Sequence, residues 1–419
     1  MTRTTTAAPP LTVSTRILDD PGTVLRHTLR DRPLAFVRNG DGIVGIGEAL
    51  RFTFTGPDRM RDAAAVWRTV VESAVVDDPV QLRGSGLVAF GSFAFADDSA
   101  DESVLIVPRV VIGRRRGKAW LTAIDTTVGA EPLTFTRTSV PVPHVGPHVS
   151  VALHPGRINE AAYAANVAEA VRRIAAGSAQ KVVLARDLVG RMPADADHRA
   201  LLLDLAAAYP QCVTFAVDGL VGATPETLAR TDGTRLTARV LAGSAARGED
   251  EVSDRAAAEA LAASAKDVDE HAFAIDSLLA SLRPLVTELR ADPEPFRLQL
   301  PNLWHLATDV QATLPPDTTS LDVADALHPT AAVAGTPTDV AVRLVAELEG
   351  VDRGRYAGPV GWMSATGDGE WMLALRSARI DDDGTVRAWA GAGVVAGSEP
   401  AREVAETALK FRPVTDALA

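Results

Sequence analysis

Apolar and polar positions change their rhythm along this chain. In the first part, "GLVAFGSFAF" (86–95) and "ESVLIVPRVVIG" (102–113) are near-continuous apolar runs and predict strands. Between the start and these runs, "DRMRDAAAVWRTVVESAVV" (58–76) repeats its apolar residues at helical spacing. The segment "VPVPHVGPHVS" (140–150) is rich in Pro and Gly and reads either as a boundary or as a long loop. From 157 the pattern strengthens. "INEAAYAANVAEAVRRIAAG" predicts an amphipathic helix with Tyr163, Val167, Val171 and Ile174 on one face and Gly177 as terminator. "KVVLARDLVG" predicts a strand, and "TLARTDGTRLTARV" a hairpin turning at Asp232-Gly233. Helices are expected over 254–290 and 337–348. A three-strand meander of "GPVGWMS", "EWMLALRSARI" and "TVRAWAGAGVV" follows, and a last helix is capped by Ser398. Strands rarely alternate with single helices, so the fold class expected is α/β of the α+β type with large antiparallel content, not a doubly wound sheet.

Composition narrows the function classes. The chain has 419 residues, 47% hydrophobic and 23% charged, with a formal net charge of -12. That balance disfavours nucleic acid and anionic membranes, which need a basic face. One basic run, "GRRRGK" (113–118), reads as a solvated turn between strands, with an anion patch as the lesser reading. The lone cysteine, Cys212 in "CVTFAV", excludes an internal disulfide and fits a buried thiol in a reducing compartment. No signal-peptide core or 18-residue apolar span is present, so a soluble cytoplasmic protein with a short disordered tip at "MTRTTTAAPP" is expected.

The stretch "AGAGVVAGSEPAREVAETALK" (390–410) carries the candidate chemistry. Its GxGxxxG spacing is wrong for a dinucleotide fingerprint, and too little chain follows for a βαβ unit. A Walker loop's Gly-Lys-Ser/Thr is absent. Glu403, Glu406 and Lys410 share one helical face, either a solvated face with a Glu406–Lys410 pair or part of a site. "KDVDEHAFAID" sets Asp267 and Glu270 one turn apart on another helix. If the two helices face each other, the four carboxylates need a cation, and all-oxygen ligands suit Mg²⁺.

Taken in order, "KVVLARD", "TPETLAR", "LAGSAARG", "DEHAFAID", "HPTAAVAGTP", "YAGPVGW", "ALRSARI" and the 390–410 stretch resemble the chorismate-utilising enzymes. That family includes isochorismate, salicylate, anthranilate and aminodeoxychorismate synthases. The resemblance covers about 157–412, and the first 150 residues match poorly. It implies one compact domain of two stacked, mainly antiparallel sheets with helices outside, made of an N-terminal part (1–150) and a chorismate-binding region (157–415). It implies chorismate as substrate and Mg²⁺ as cofactor. By the same resemblance, Lys181 matches the base that activates water, and Glu226 the acid that protonates the departing C4 hydroxyl. Glu270 and Glu406 match direct Mg²⁺ ligands, with Asp267 and Glu403 reaching it through water. Tyr356, Arg376, Gly391, Gly393 and Lys410 match groups that hold the substrate carboxylates. Ser244 stands where threonine is commoner, and His305, in "HLAT", lines the site in relatives.

The residue types suit these roles. A lysine serves as a base only where burial lowers its ordinary pKa of about 10.4, and "KVVL" is a plausible buried strand start, although an exposed strand-end lysine fits as well. Glu226 needs the opposite shift to hold a proton. Counted back across Asp232-Gly233 it falls opposite Arg239, so a plain cross-strand pair is the competing reading. Arg376 offers a bidentate fork for a carboxylate, and glycines at 391 and 393 let backbone N–H groups approach another. Lys181, where ammonia-using relatives commonly carry glutamine, points to water as nucleophile. The segment "LAGS" has Ala242 and no lysine, unlike aminodeoxychorismate synthases. The expected reaction is chorismate to isochorismate, feeding menaquinone or siderophore synthesis. Salicylate synthesis is the close alternative, and a non-catalytic dicarboxylate binder or a synthase subunit the remoter ones. No glutaminase partner is expected, and a monomer is.

Overall fold

The computed structural model describes residues 9–126 and 140–419. Of the tip expected to be disordered, "MTRTTTAAPP", residues 1–8 lie outside the described residues, and Pro9 and Pro10 are exposed and outside any helix or strand. Two large sheets dominate, one of thirteen strands and one of ten. Neighbouring strands run antiparallel throughout, apart from Thr12–Leu18 beside Val75–Asp77. Eight α-helices are found among the described residues. Each sheet draws strands from both sides of the 140–150 segment. Leu34–Arg38 pairs with Val213–Val217 in the larger sheet, and Val88–Ser92 pairs with Pro359–Ser364 in the smaller.

Alternation along the strands sorts the core into two layers. Phe36, Phe215, Val217 and Leu184 of the larger sheet face Phe90, Leu105, Leu228 and Val240 of the smaller, forming the inner layer. Their neighbours Ala35, Val37, Ala216 and Ala388 point the other way. They pack beneath Leu201 and Leu205 of the helix His198–Ala208 and Phe411 and Val414 of the helix Pro400–Ala417. The helices Arg59–Ser73 and Ser320–Leu327 lie on the smaller sheet. The expected stacked sheets with helices outside are therefore present.

Four local expectations are corrected. The 254–290 helical region is two helices, Glu251–Ala263 and Ala265–Leu282, because Ser264 leaves helical geometry and caps the second; Glu288–Ala291 is a strand. The 227–240 hairpin turns at Gly233-Thr234, since Asp232 pairs with Arg235, and Gly233 takes the positive φ the turn requires. That shift puts Glu226 beside Leu241, while Arg239 pairs with Asp309 at 2.5 Å. "EWMLALRSARI" is broken in the middle: Gly369–Leu373 belongs to the smaller sheet and Ser377–Ile380 to the larger, so the meander crosses between sheets. The last helix is capped at Glu399, with Pro400 in its first turn; the Ser398 hydroxyl instead accepts from the Val395 N–H.

Trp371 ties the smaller sheet to its helix layer. Its ring is fully buried, meets Phe93 edge-on at 5.5 Å, and donates through Nε1 to the Ser320 hydroxyl at 3.1 Å. Gly91 leaves the room: a Cβ there would come within 2.6 Å of the Trp371 ring. Trp371→Ala is expected to cost roughly 3–5 kcal/mol in urea unfolding; a loss below about 1 kcal/mol would contradict this packing.

Candidate active site

Two of the crossings between the sheets open onto one cavity. The chain leaves the larger sheet after Leu220–Thr224 and enters the smaller at Thr227, with Glu226 on the link. It returns between Leu373 and Ser377, with Arg376 on that link in a left-handed conformation, φ 52. Non-glycine residues rarely hold such a backbone, and they concentrate where a side chain must be aimed. The other walls come from paired strands. Lys181–Arg191 runs beside Thr385–Val394, setting Val183 opposite Gly393 and Ala185 opposite Gly391. Arg235–Ala246 runs beside Leu303–Thr313, where a bulge at Gly243 sets Ser244 opposite His305. Glu226, Ser244, Glu270, His305, Tyr356, Arg376, Gly391, Gly393 and Lys410 all line the cavity, which encloses about 610 Å³ of atom-free space counted to its mouth.

The polar groups hold one another in fixed states. Arg376 has only N–H donors, so its contact of 3.0 Å with His305 Nε2 makes that nitrogen the acceptor. Nδ1 then carries the proton and faces the Gly243 carbonyl at 3.1 Å and the Ser244 hydroxyl at 3.0 Å. Burial, and then the Arg376 charge, push His305 well below the ordinary histidine value, so the ring is neutral. Burial also lowers the Arg376 guanidinium. It raises the Tyr356 phenol to about 12, and that ring stacks on Trp389 at 5.8 Å. Glu226 is raised to about 7: burial drives the shift and outweighs the opposing pull of Lys181 and Arg376. A carboxyl there is protonated in a large fraction of molecules at neutral pH.

Lys181 is fully buried and stands behind the cavity lining, with Nζ 3.3 Å from Glu270 Oε1 and without a hydrogen bond. Gly393 makes room for both groups: a Cβ there would overlap the Glu270 carboxylate and come within 2.8 Å of Lys181 Cε. Lys410 donates to the Gly391 carbonyl at 3.0 Å and pairs with Glu406 at 2.6 Å. Lys266 pairs with the buried Glu403 at 2.7 Å. Burial, followed by Glu406, raises Glu403. Glu406 stays below the ordinary carboxylate value because Lys410 overcomes its own burial. Asp267, one turn before Glu270, packs against Gly243 and does not line the cavity. Neither do Glu403 and Glu406.

These acids come from two helices and offer only hard oxygen donors, as Mg²⁺ prefers. Glu403 Oε2 is buried with no hydrogen-bond partner, which also suits a cation. As placed, Glu270, Glu403 and Glu406 are each held by a separate lysine ammonium. Among the described residues no three acidic, His or Cys groups gather round one point. The donor chemistry fits the cation, and those ammonium groups now supply the positive charge.

Three residues at or beside the site were not singled out in the sequence. Arg353 lines the cavity and donates to the carbonyls of Val183 and Val333, at 2.7 and 3.0 Å. Glu349 closes on it at 2.5 Å and accepts from the Ala185 N–H at 2.7 Å. Their i,i+4 spacing was visible, but an ordinary surface pair has the same spacing. Lys266, which opens the acidic "KDVDEH" run, drew no reading of its own from the sequence.

Comparison with known proteins agrees with this architecture. The model of the chorismate binding enzymes matches residues 28–419. The chain belongs to that family. Among curated relatives it is 40% identical over 268 residues to isochorismate synthase DhbC of Bacillus subtilis, covering 61% of this chain and 67% of that protein. It is 40% identical over 250 residues to isochorismate synthase EntC of Escherichia coli K12, covering 58% and 64%. The solved structure of MenF, the menaquinone-specific isochorismate synthase from Escherichia coli, superposes with a TM-score of 0.77 at 25% identity, covering 99% of this chain and 96% of that one. No helix among the described residues is long and apolar enough to cross a membrane.

The raised carboxyl makes a stability prediction. The folded protein binds the Glu226 proton more tightly than the unfolded chain does. Its contribution is therefore complete below the unfolded value and is lost as pH rises through about 7. Glu226→Gln should leave unfolding stability nearly unchanged at pH 4 and raise it at pH 8, by at most ~3 kcal/mol. Equal effects at both pH values would contradict a buried, protonated Glu226.

Proposed function

We propose that the protein is an isochorismate synthase, converting chorismate to isochorismate with Mg²⁺. The observation that carries this reading is the buried carboxyl of Glu226, protonated near neutral pH and lining the same cavity as a buried arginine. A dicarboxylate whose hydroxyl must leave needs both. Arg376 grips one carboxylate through its fork, while the neutral His305 holds that fork in place. Ser244, Tyr356, Lys410 and the backbone at Gly391 and Gly393 position the rest of the substrate.

Water then forms a new C–O bond at C2, the ring double bonds shift, and the C4–O bond breaks. Lys181 takes the proton from the attacking water, and Glu226 gives one to the departing hydroxyl. Leaving as water rather than hydroxide removes the main electrostatic cost of the bond cleavage. Glu270 and Glu406, with Asp267 and Glu403 through water, would hold Mg²⁺. Bound there, the cation neutralises a substrate carboxylate and screens the acids from one another.

Incubating the purified protein with chorismate and Mg²⁺ should yield isochorismate without pyruvate, and no product with excess chelator. Salicylate with stoichiometric pyruvate would show that the site also eliminates and would overturn the assignment. Lys181→Ala and Glu226→Gln should each lower kcat by roughly 10²- to 10⁴-fold with little change in KM. In the native protein kcat/KM should fall as pH rises through about 7, where free Glu226 loses its proton.

A further inference from the structure

At the far ends of the strands that lead to Glu226 and Arg376 lies a second cleft. Arg230 sits four residues beyond Glu226 on Thr227–Asp232, and is the register partner of Glu370 on Gly369–Leu373. This cleft shares no lining residue with the active cavity and encloses about 780 Å³ of atom-free space counted to its mouth. Its floor is apolar, made by Phe36, Ile43, Val213 and Trp362. Its rim carries Arg38, Arg83, Arg114, Arg115, Arg116 and Arg230 against only two carboxylates, Asp41 and Glu370. The "GRRRGK" turn supplies three of these arginines. A chain with net charge -12 thus concentrates a surplus of four positive charges in one concave place.

The arginines are built into the cleft. All but Arg116 are at least half-buried. The Arg83 side chain is 9% exposed, lies over the Trp362 ring at 5.0 Å and donates to the Thr231 and Gly369 carbonyls. Burial, and then Arg230 and Arg115 against the pull of Glu370, push Arg83 down to about 10. Glu370 is committed to Arg38 at 2.8 Å, yet Arg38 Nε is buried without a partner. Among the described residues, the guanidinium groups of Arg115 and Arg230 make no hydrogen bond or ion pair. Half-buried like charges that repel one another, with donors left open, are costly unless an anion joins them.

We infer that this cleft is a binding site for a small polyanion, a molecule carrying at least two phosphate or carboxylate groups. Guanidinium forks recognise both groups bidentately, and the aromatic floor accepts an apolar or ring portion. The apolar floor and the volume of about 780 Å³ suit a metabolite-sized ligand rather than a polymer.

Calorimetric titration of the full-length protein tests this, with inorganic pyrophosphate as probe and benzoate as a monoanionic control. Mg²⁺ is omitted, because pyrophosphate chelates it. Pyrophosphate should bind and benzoate should not. The Arg115→Ala/Arg230→Ala double variant should weaken pyrophosphate binding about tenfold or more, while Lys410→Ala in the active cavity leaves it unchanged. The double variant should turn over chorismate normally and unfold at the same or a higher temperature without ligand, because mutual repulsion is relieved. Absent binding, binding that survives the double variant, or binding lost only in Lys410→Ala would each overturn the assignment. So would a lower unfolding temperature of the double variant, which would mean these groups serve the fold.

Discussion

A guanidinium sealed into the seam between two sheets has to find its solvation within the protein. Arg376 is such a group, and much of the cavity follows from satisfying it. Burial, and then the Arg376 charge, keep His305 neutral, so that Nε2 accepts from Arg376 and the other nitrogen meets Gly243 and Ser244. The left-handed backbone at Arg376 aims the fork inward, and the break it makes returns the chain to the larger sheet beside Gly391 and Gly393. Donors remain on the guanidinium for an anionic ligand, so a carboxylate completes a network the fold leaves open.

The same low-polarity setting governs the ionisable groups that would do chemistry. Burial moves Glu226 to about 7 even though cations stand nearby, so desolvation wins over Coulomb attraction there. At Glu406 the outcome is reversed, because Lys410 contacts it directly at 2.6 Å. Two carboxylates near one cavity therefore part in charge state, one ready to give a proton and one ready to hold a cation. Glycine at 393 lets this density of ions exist, since any side chain there would displace Glu270 and Lys181.

Much of this was legible in the sequence. Apolar runs announced the strands at 88–92, 103–115 and 181–191, and the face Tyr163, Val167 and Ile174 is buried as its spacing implied, with Val171 only partly covered. Motif order, rather than spacing, led to Glu226, Arg376 and the glycines; nine of the thirteen residues so marked line one cavity. What stayed hidden depended on tertiary context. "EWMLALRSARI" reads as one strand because nothing local reports the sheet it must join. The hairpin slipped in register because Asp-Gly suits a turn equally well one position earlier. Arg353 and Glu349 went unmarked because burial is invisible in an i,i+4 spacing. The "GRRRGK" run looked solvated because its partners, Arg38, Arg83 and Arg230, come from distant strands.

The central claim is that water attacks C2 while Glu226 releases the C4 hydroxyl. Turnover of chorismate in ¹⁸O-labelled water, with the product's C2 hydroxyl oxygen analysed after a single conversion, tests it most directly. The account predicts one heavy oxygen at C2 and none retained from the substrate's C4 hydroxyl. Product whose C2 oxygen comes unlabelled from the substrate would contradict it, because the hydroxyl would then have migrated without a water nucleophile.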